Sequence, residues 1–136
     1  MANGTIAFDT LTTSDQVNTG TEKSIDTSYL FNGVAKVWSA VASDGASFED
    51  SFNTSSHTDT STGLGTVNLS NSFTDTSYVC KGITRYLYNS LDGARVISIG
   101  ARNTNSYSLQ AGYLDSSARY VAEDRTRMAS AYGDLA

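Results

Sequence analysis

The fold of this chain is decided by the segment from Gly33 to Gly82, which is built from short runs of mixed apolar and polar residues. The runs include Gly33-Val-Ala-Lys-Val-Trp38, Asp50-Ser-Phe-Asn53, Gly65-Thr-Val-Asn-Leu-Ser70 and Tyr78-Val-Cys80. Ser, Thr, Asp, Asn or Gly separates each run from the next. Because successive side chains of a strand point to opposite faces, and because the separating residues favour tight turns, this segment predicts antiparallel β-structure.

The composition is that of a globular, strand-rich protein. Serine and threonine together make up 37 of the 136 residues, and eight Tyr, five Phe and one Trp accompany them. So many aromatic residues argue against disorder, and the length fits one domain. We expect residues 1–31 to form an N-terminal strand and loop, an attachment or inter-subunit arm, and residues 32–136 to form the β-domain.

Charge is spread unevenly along the chain. The net charge is −5, of which residues 1–79 carry −7 and residues 80–136 carry +2. An acidic protein repels phosphate backbones, so nucleic acid is not expected as a partner. The arginine-bearing second half is suited to meet the acidic first half of a neighbouring copy. No run of 18 apolar residues predicts membrane insertion, and the single cysteine, Cys80, is expected to be a buried, inert thiol.

Period-two alternation continues through the second half of the chain, most clearly at residues 95–101 and 107–113. We expect a hairpin turn at Asn32-Gly33, Trp38 in the core, Phe48 and Phe52 on one face of a strand, and a loop or hairpin tip over residues 54–63. In all, eight or nine short strands are predicted. The predicted fold class is an all-β, single-domain antiparallel β-sandwich or barrel-like jelly roll.

The last 22 residues allow two interpretations. Apolar residues from Leu114 to Leu135 recur at spacings of three and four, which is typical of an amphipathic helix. The other interpretation is a loop over residues 115–124, followed by a strand from Thr126 to Tyr132 that ends at Gly133. Composition and spacing leave both open.

Five short blocks, in order, resemble a β-domain family of tail-fibre-type proteins from marine bacteriophages. The first, Asn32-Gly-Val-Ala-Lys-Val-Trp38, is similar to the Asn-Gly-x-Ala-Lys-x-Trp segment that opens that domain. The likeness covers residues 32–82 and, more loosely, the end of the chain, where it favours the strand. After Trp38 the family has more glycine than Ser39-Ala-Val-Ala-Ser-Asp44. The other four blocks are Asp50–Asp59, Gly63–Leu69, Asp75–Val79 and Met128–Asp134.

The resemblance implies a non-enzymatic virion protein, made in the bacterial cytoplasm and assembled into the phage particle. It implies a tail-fibre or receptor-binding module, a homo-oligomer expected to be a trimer, which contacts other virion proteins and a host-surface glycan or receptor. A capsid decoration (cement) or head-fibre protein that binds the major capsid protein is the alternative, because fibre proteins are often longer than this chain.

Residue chemistry gives little support for catalysis, although a small glycan-hydrolysing enzyme is a third hypothesis. The only histidine, His57, lies in a polar run and is expected to be an exposed loop residue. Neighbouring carboxylates such as Glu49 and Asp50 point to opposite faces of a strand, so they do not form an acid–base pair. One His and one Cys cannot make a zinc site. The Asp115–Asp124 stretch could hold calcium, but lacks EF-hand spacing. No catalytic residue, metal or cofactor is predicted.

Ligand contact is the more plausible chemistry, because glycans bind flat aromatic faces beside amides. Tyrosines and asparagines near predicted strand ends are the candidates, with core packing or a subunit interface as the competing interpretation. These candidates are Tyr86, Tyr88, Asn89, Asn103, Asn105, Tyr107 and Tyr113.

Overall fold

The computed structural model describes residues 10–12, 24–84 and 95–136, and the chain divides into two compact units, residues 1–34 and 35–136. In the first unit, β1 (Thr10–Thr12) pairs antiparallel with β2 (Ser24–Asp26), and the helix α1 (Thr27–Gly33) follows. The helix takes the place of the hairpin turn predicted at Asn32-Gly33. It begins beside Asp26 and ends at a glycine, residue types that cap helix starts and helix ends.

The second unit contains a four-stranded antiparallel sheet in the order β4-β3-β11-β7. The chain end thus forms a strand between β3 and β7, which decides against the helical interpretation. Along β11, buried residues alternate with half-buried ones, as a strand with one face in the core requires. The strands are β3 (Val37–Val41), β4 (Phe48–Phe52), β7 (Val79–Thr84) and β11 (Arg127–Tyr132).

The other sheet has five antiparallel strands around β9. One edge of β9 pairs with β8, and the other edge pairs first with β6 and then with β10, while β5 extends the sheet beyond β6. Where β6 gives way to β10, the Ala111 N–H donates to Gly63 O at 2.7 Å, and Ala111 O accepts from Glu123 N at 3.1 Å. The strands are β5 (Thr54–Ser61), β6 (Leu64–Leu69), β8 (Arg95–Asn103), β9 (Ser106–Leu114) and β10 (Tyr120–Ala122).

The two sheets enclose one hydrophobic core, so the prediction of an all-β antiparallel sandwich is confirmed. β3 and β11 supply the buried residues of one sheet, β6 and β9 those of the other, and Phe73 and Tyr78 close one part of the core. The fully or nearly fully buried apolar residues are Val37, Val41, Val67, Leu69, Phe73, Tyr78, Tyr107, Leu109, Ala111, Ala129 and Ala131.

Tyr78 ties the segment before β7 to the β8–β9 turn. Its ring stacks on Phe73 with centroids 4.0 Å apart, and its hydroxyl donates toward the carbonyl oxygens of Asn103 (3.0 Å) and Ser106 (2.9 Å). Arg102 Nη1 donates to Tyr78 O at 2.6 Å. Burial raises the pKa of Tyr78 to about 12, so the hydroxyl keeps the proton that these contacts need.

Two local expectations are wrong, both on the strands that follow β3. The polar run expected to be a loop is the strand β5, because its hydroxyl side chains can face solvent while His57 turns inward against β6. Phe48 and Phe52 do not share a face, because the register between β3 and β4 shifts next to Glu49. Phe48 therefore pairs with the buried Val41 and packs on the core, whereas Phe52 pairs with Trp38 on the outside.

A hydrogen bond between Ser39 and Tyr107 crosses the core from one sheet to the other. The two hydroxyl oxygens are 3.1 Å apart, and both side chains are buried. Burial raises the pKa of the Tyr107 phenol above its usual range. Each hydroxyl thus gives the other the hydrogen-bond partner that a buried polar group needs.

A double-mutant cycle tests this contact. Tyr107→Phe and Ser39→Ala should each lower the free energy of unfolding by about 1–3 kcal/mol, because each leaves the other hydroxyl buried and unsatisfied. The double variant should be less destabilised than the sum of the single variants, measured by urea denaturation. Strictly additive losses would show that the hydroxyls do not depend on each other.

Candidate functional site

The outward face of the five-stranded sheet is polar over β5 and the middle of β6 and β9, whereas Leu64, Leu114 and Tyr120 face outward near β10. The polar part consists of short hydroxyls and amides, and Asn68 Nδ2 donates to Ser56 Oγ at 3.0 Å. An antiparallel sheet with one solvated face has this alternation of apolar-in and polar-out residues. The outward residues include Ser56, Thr58, Thr66, Asn68, Ser108 and Gln110.

The outward face of the four-stranded sheet is apolar instead. Its four most exposed apolar side chains are Trp38 (39% exposed), Phe52 (55%), Val79 (53%) and Ile83 (63%). Contiguous apolar surface of this kind marks a binding surface. We call this surface the outer face and define it by Trp38, Ala40, Asp50, Phe52, Val79, Lys81, Ile83, Met128, Ser130 and Tyr132.

A shallow groove of about 410 Å³ runs across the outer face. Its floor includes the small residues Ala40, Gly82 and Ser130, and the larger side chains of Trp38 and Ile83 also line it. Small residues between larger ones leave a depression that a protruding side chain of another molecule can fill.

The backbone pairing explains why these side chains come together. Trp38 of β3 pairs with Phe52 of β4 and with Ser130 of β11, and Ser130 pairs with Lys81 of β7. One residue pair further along, Ala40 aligns with Asp50 and with Met128, and Met128 aligns with Ile83. Two adjacent rows of outward residues therefore cross all four strands.

The expectation that Trp38 lies in the core is wrong. In β3 the inward positions are Val37, Ser39 and Val41, all buried, so the alternate positions must face out. The sequence already indicated this, since Lys36 is two residues before Trp38 and a charged side chain on the same face of the strand favours solvent. The outer face as a unit was missed, because it depends on the pairing of strands far apart in the sequence.

Two opposite charges lie at opposite edges of the outer face. Asp50 is on the edge strand β4, where its carboxylate accepts from the Ser51 N–H at 2.8 Å. Lys81 is on the other edge strand, β7, with its Nζ 5.7 Å from the centre of the Tyr132 ring. Both residues are exposed, so both are available to a molecule that covers the outer face.

A second group of polar residues lies inside the sandwich, around Arg127. This side chain is fully buried, and its Nη1 donates to Leu109 O on β9 at 3.5 Å. Nε and Nη2 have no hydrogen-bond partner among the described residues. Burial lowers the pKa of Arg127 and the carboxylates of Asp124 and Asp59 oppose that effect. The pKa of arginine normally lies far above 7, so Arg127 still keeps its charge at neutral pH.

Asp124 joins this group to the β5–β6 turn. Its Oδ1 accepts from the Gly63 N–H at 2.6 Å. Gly63 has a φ of +71°, and a side chain there would collide with the backbone of Ala111 and Glu123, so only glycine fits. These contacts give the group around Arg127 a structural role, which is to hold the β5–β6 turn in place.

His57 is not the exposed loop residue that the sequence predicts. Its ring lies edge-on to Phe48 with centroids 5.8 Å apart. Both ring nitrogens are buried, and neither has a hydrogen-bond partner in the part of the chain that the structure describes. Burial lowers the pKa of His57, and the nearby charge of Arg127 lowers it further. The ring is therefore neutral at pH 7.

The predicted ligand-contact residues do not form one site where the structure describes them. Tyr86, Tyr88 and Asn89 lie outside the described residues. Asn103 and Asn105 are exposed at the β8–β9 turn, whereas the half-buried Tyr113 lies near the other end of β9, about 25 Å away along an extended strand. Tyr107 is completely buried and bonded to Ser39, so in this fold it is a core residue.

The residues considered for catalysis or metal binding also lie apart. Asp50 faces out of its sheet, while Glu49 accepts a hydrogen bond from Thr126 Oγ1 at 3.3 Å and His57 faces inward. Asp115 accepts from the backbone N–H groups of Ser117 and Arg119. Among the described residues, no three His, Cys, Asp or Glu side chains are arranged to hold a metal ion. Cys80 packs against the core, and burial raises the pKa of its thiol to about 11.

Comparisons with protein-family models, with curated proteins and with solved structures find no match to this chain. In the described part of the chain, no helix has the length and apolar character needed to cross a membrane.

His57 should make the stability depend on pH in a defined window. Its pKa is lower in the folded state than the usual 6.5, so the unfolded chain binds the proton more readily. Stability should be full above pH 6.5 and should fall as the pH drops below it. This is the chain's only histidine, so thermal unfolding between pH 7.5 and 5 should isolate it from the carboxylates.

The matched variant is His57→Phe, which keeps a ring against Phe48 but cannot take up a proton. Its melting temperature should change much less between pH 7.5 and 5 than that of the wild type. An equal slope in both proteins would assign the pH dependence to other groups.

Proposed function

We propose that this chain is a non-enzymatic structural subunit of a bacteriophage virion. In this proposal it is a tail-fibre or receptor-binding module that assembles with copies of itself, joins other virion proteins and meets the host surface. The observation that carries the proposal is the apolar outer face of the four-stranded sheet. A protein that exposes such a contact surface, and whose buried polar groups hold its own fold together, is suited to assembly.

The two sheets differ in how much apolar side-chain surface their outward faces leave in water. Each Å² of apolar surface left in water forgoes roughly 25 cal/mol of burial free energy. This chain places serine, threonine and asparagine over most of the outward face of one sheet, with Leu114 and Tyr120 near β10, yet it places Trp38, Phe52 and Ile83 on the other. Its strands thus accept polar outward residues readily, and the apolar outer face is best explained by a protein partner that covers it.

The virion assignment rests on the five blocks that resemble the phage β-domain family. Blocks far apart in the sequence are neighbours in the sheet, since residues of the first block pair with residues of the last: Trp38 with Ser130 and Val37 with Ala131. The second and third blocks form β4, β5 and β6. Because the residues that resemble the phage family pair with one another in the sheet, the resemblance is better explained by a common structural unit than by coincidence.

Immunogold labelling of purified virions from a phage that encodes this chain tests the proposal. An antibody against the chain should label the tail fibres, and mass spectrometry should find the chain in particles purified through a density gradient. Labels over the head would instead identify the chain as a decoration protein that binds the major capsid protein. Absence of the chain from purified particles would overturn both.

Binding to host cells tests the receptor part separately. The purified, fluorescently labelled chain should bind host cells and not cells of an unrelated bacterium. A Phe52→Ser variant is the control that separates assembly from receptor binding, because it alters only the outer face. If the chain bound neither the host cells nor the unrelated bacterium, the receptor role would be wrong.

A further inference from the structure

We infer that the outer face is covered by a second copy of this chain, in a face-to-face pair about a two-fold axis that runs parallel to the strands, between β3 and β11. This inference deepens the proposed function, on which it rests, because it names the partner of the assembly surface, and it replaces the expected trimer with a two-fold pair. Closed two-fold pairs use the same patch on both subunits, so the patch must complement itself. The outer face meets that condition in shape and in charge.

The strand order β4-β3-β11-β7 lets the outer face complement itself in shape. Rotation about an axis between the two middle strands lays β3 of one copy over β11 of the other. Trp38, the bulky residue of β3, then lies over Ser130 of the second copy, and Met128 lies over Ala40 of the second copy. Along the two middle strands a large residue thus meets a small one, and the groove lined by Ala40, Gly82 and Ser130 receives the side chain opposite it.

The two edge strands of the outer face carry opposite charges. The same rotation lays β4 of one copy over β7 of the other, which brings Asp50 to the edge that carries Lys81 of the second copy. Asp50 then lies over Ile83 of the second copy, and Lys81 lies one outward position further along the strand. Because stacked sheets are about 10 Å apart, the Cα atoms of Asp50 and Lys81 are about 12 Å apart, a gap that the two side chains can span. The contact occurs twice, once at each edge, and both pairs are attractive.

A two-fold axis perpendicular to the strands does not provide this pairing. It would lay each strand over the same strand of the second copy, so that the edge with Asp50 would meet the edge with Asp50. Asp50 and Lys81 would remain three strands apart, about 14 Å across the sheet and about 17 Å in space. The position of the charges therefore selects the axis parallel to the strands.

The size of the outer face sets the expected strength of the pair. Four strands of five or six residues cover roughly 15 Å by 20 Å, which is less than the roughly 800 Å² per partner of a standard interface. The pair should thus be weak and should depend on concentration. In an assembly with many copies, linked weak contacts add up to stable attachment.

A charge-swap series measured by sedimentation equilibrium tests the inference. The wild-type chain should show a monomer–dimer equilibrium. Lys81→Asp and Asp50→Lys should each weaken the dimer about tenfold, since each places like charges at both edges. The double variant D50K/K81D should restore wild-type affinity. Trp38→Ser and Phe52→Ser should abolish the dimer within the accessible concentrations.

The matched control is Thr66→Asp on the polar face of the other sheet, which should leave the dimer unchanged. A chain that stays monomeric at all concentrations would overturn the inference, and so would a dimer that ignores the charge swaps. Loss of a dimer through Tyr29→Ser and Phe31→Ser, but not through the outer-face changes, would assign the contact to the N-terminal unit instead. Circular dichroism of each variant verifies that the fold is kept.

The outcomes separate this inference from the proposed function. Virions that contain the chain, together with a purified chain unaffected by the charge swaps, would keep the virion assignment and refute the pair. A dimer that follows the charge swaps, from a chain absent from virions, would keep the pair and refute the virion assignment.

Discussion

The structure depends on the alternation of side chains along each strand, which commits every second residue to the single core between the two sheets. In β3 the core takes Val37, Ser39 and Val41, and in β11 it takes Arg127, Ala129 and Ala131. Trp38 is consequently outside, although it is the largest apolar residue of its strand. The same constraint that fills the core thus creates the apolar surface that we assign to assembly.

The interior is held by polar as well as apolar contacts, and two of them cross between the sheets. Ser39 and Tyr107 share a hydrogen bond, and Arg127 reaches from β11 to the Leu109 carbonyl of β9. Such contacts contribute less net free energy than apolar burial, but they penalise any other arrangement of the two sheets, because a displaced hydroxyl or guanidinium would be buried without a partner. A rigid sandwich keeps the outer face in one shape, which a complementary surface needs.

Sequence reasoning predicted the fold class and most strands, because alternation over 95–101 and 107–113 is a local signal. For the strand at 126–132 the residues also allowed a helix, and only the family resemblance favoured the strand. It failed where the outcome depends on pairing between distant segments. The register shift beside Glu49 separates Phe48 from Phe52, and the pairing of β5 with the buried β6 turns His57 inward. The buried Arg127 could not be predicted, since its environment is built from β9 and the Asp124 segment together. The outer face itself joins residues 38, 52, 83 and 128, which no local pattern connects.

Fluorescence of Trp38, the only tryptophan in the chain, tests most directly that this residue faces outward and is covered on assembly. In dilute solution its emission should be that of a solvent-exposed indole and should be quenched readily by acrylamide. As the concentration rises through the range of self-association, the emission should shift to shorter wavelength and quenching should fall. Emission from a protected indole at the lowest concentration, or an indole equally exposed at every concentration, would contradict this role for the outer face.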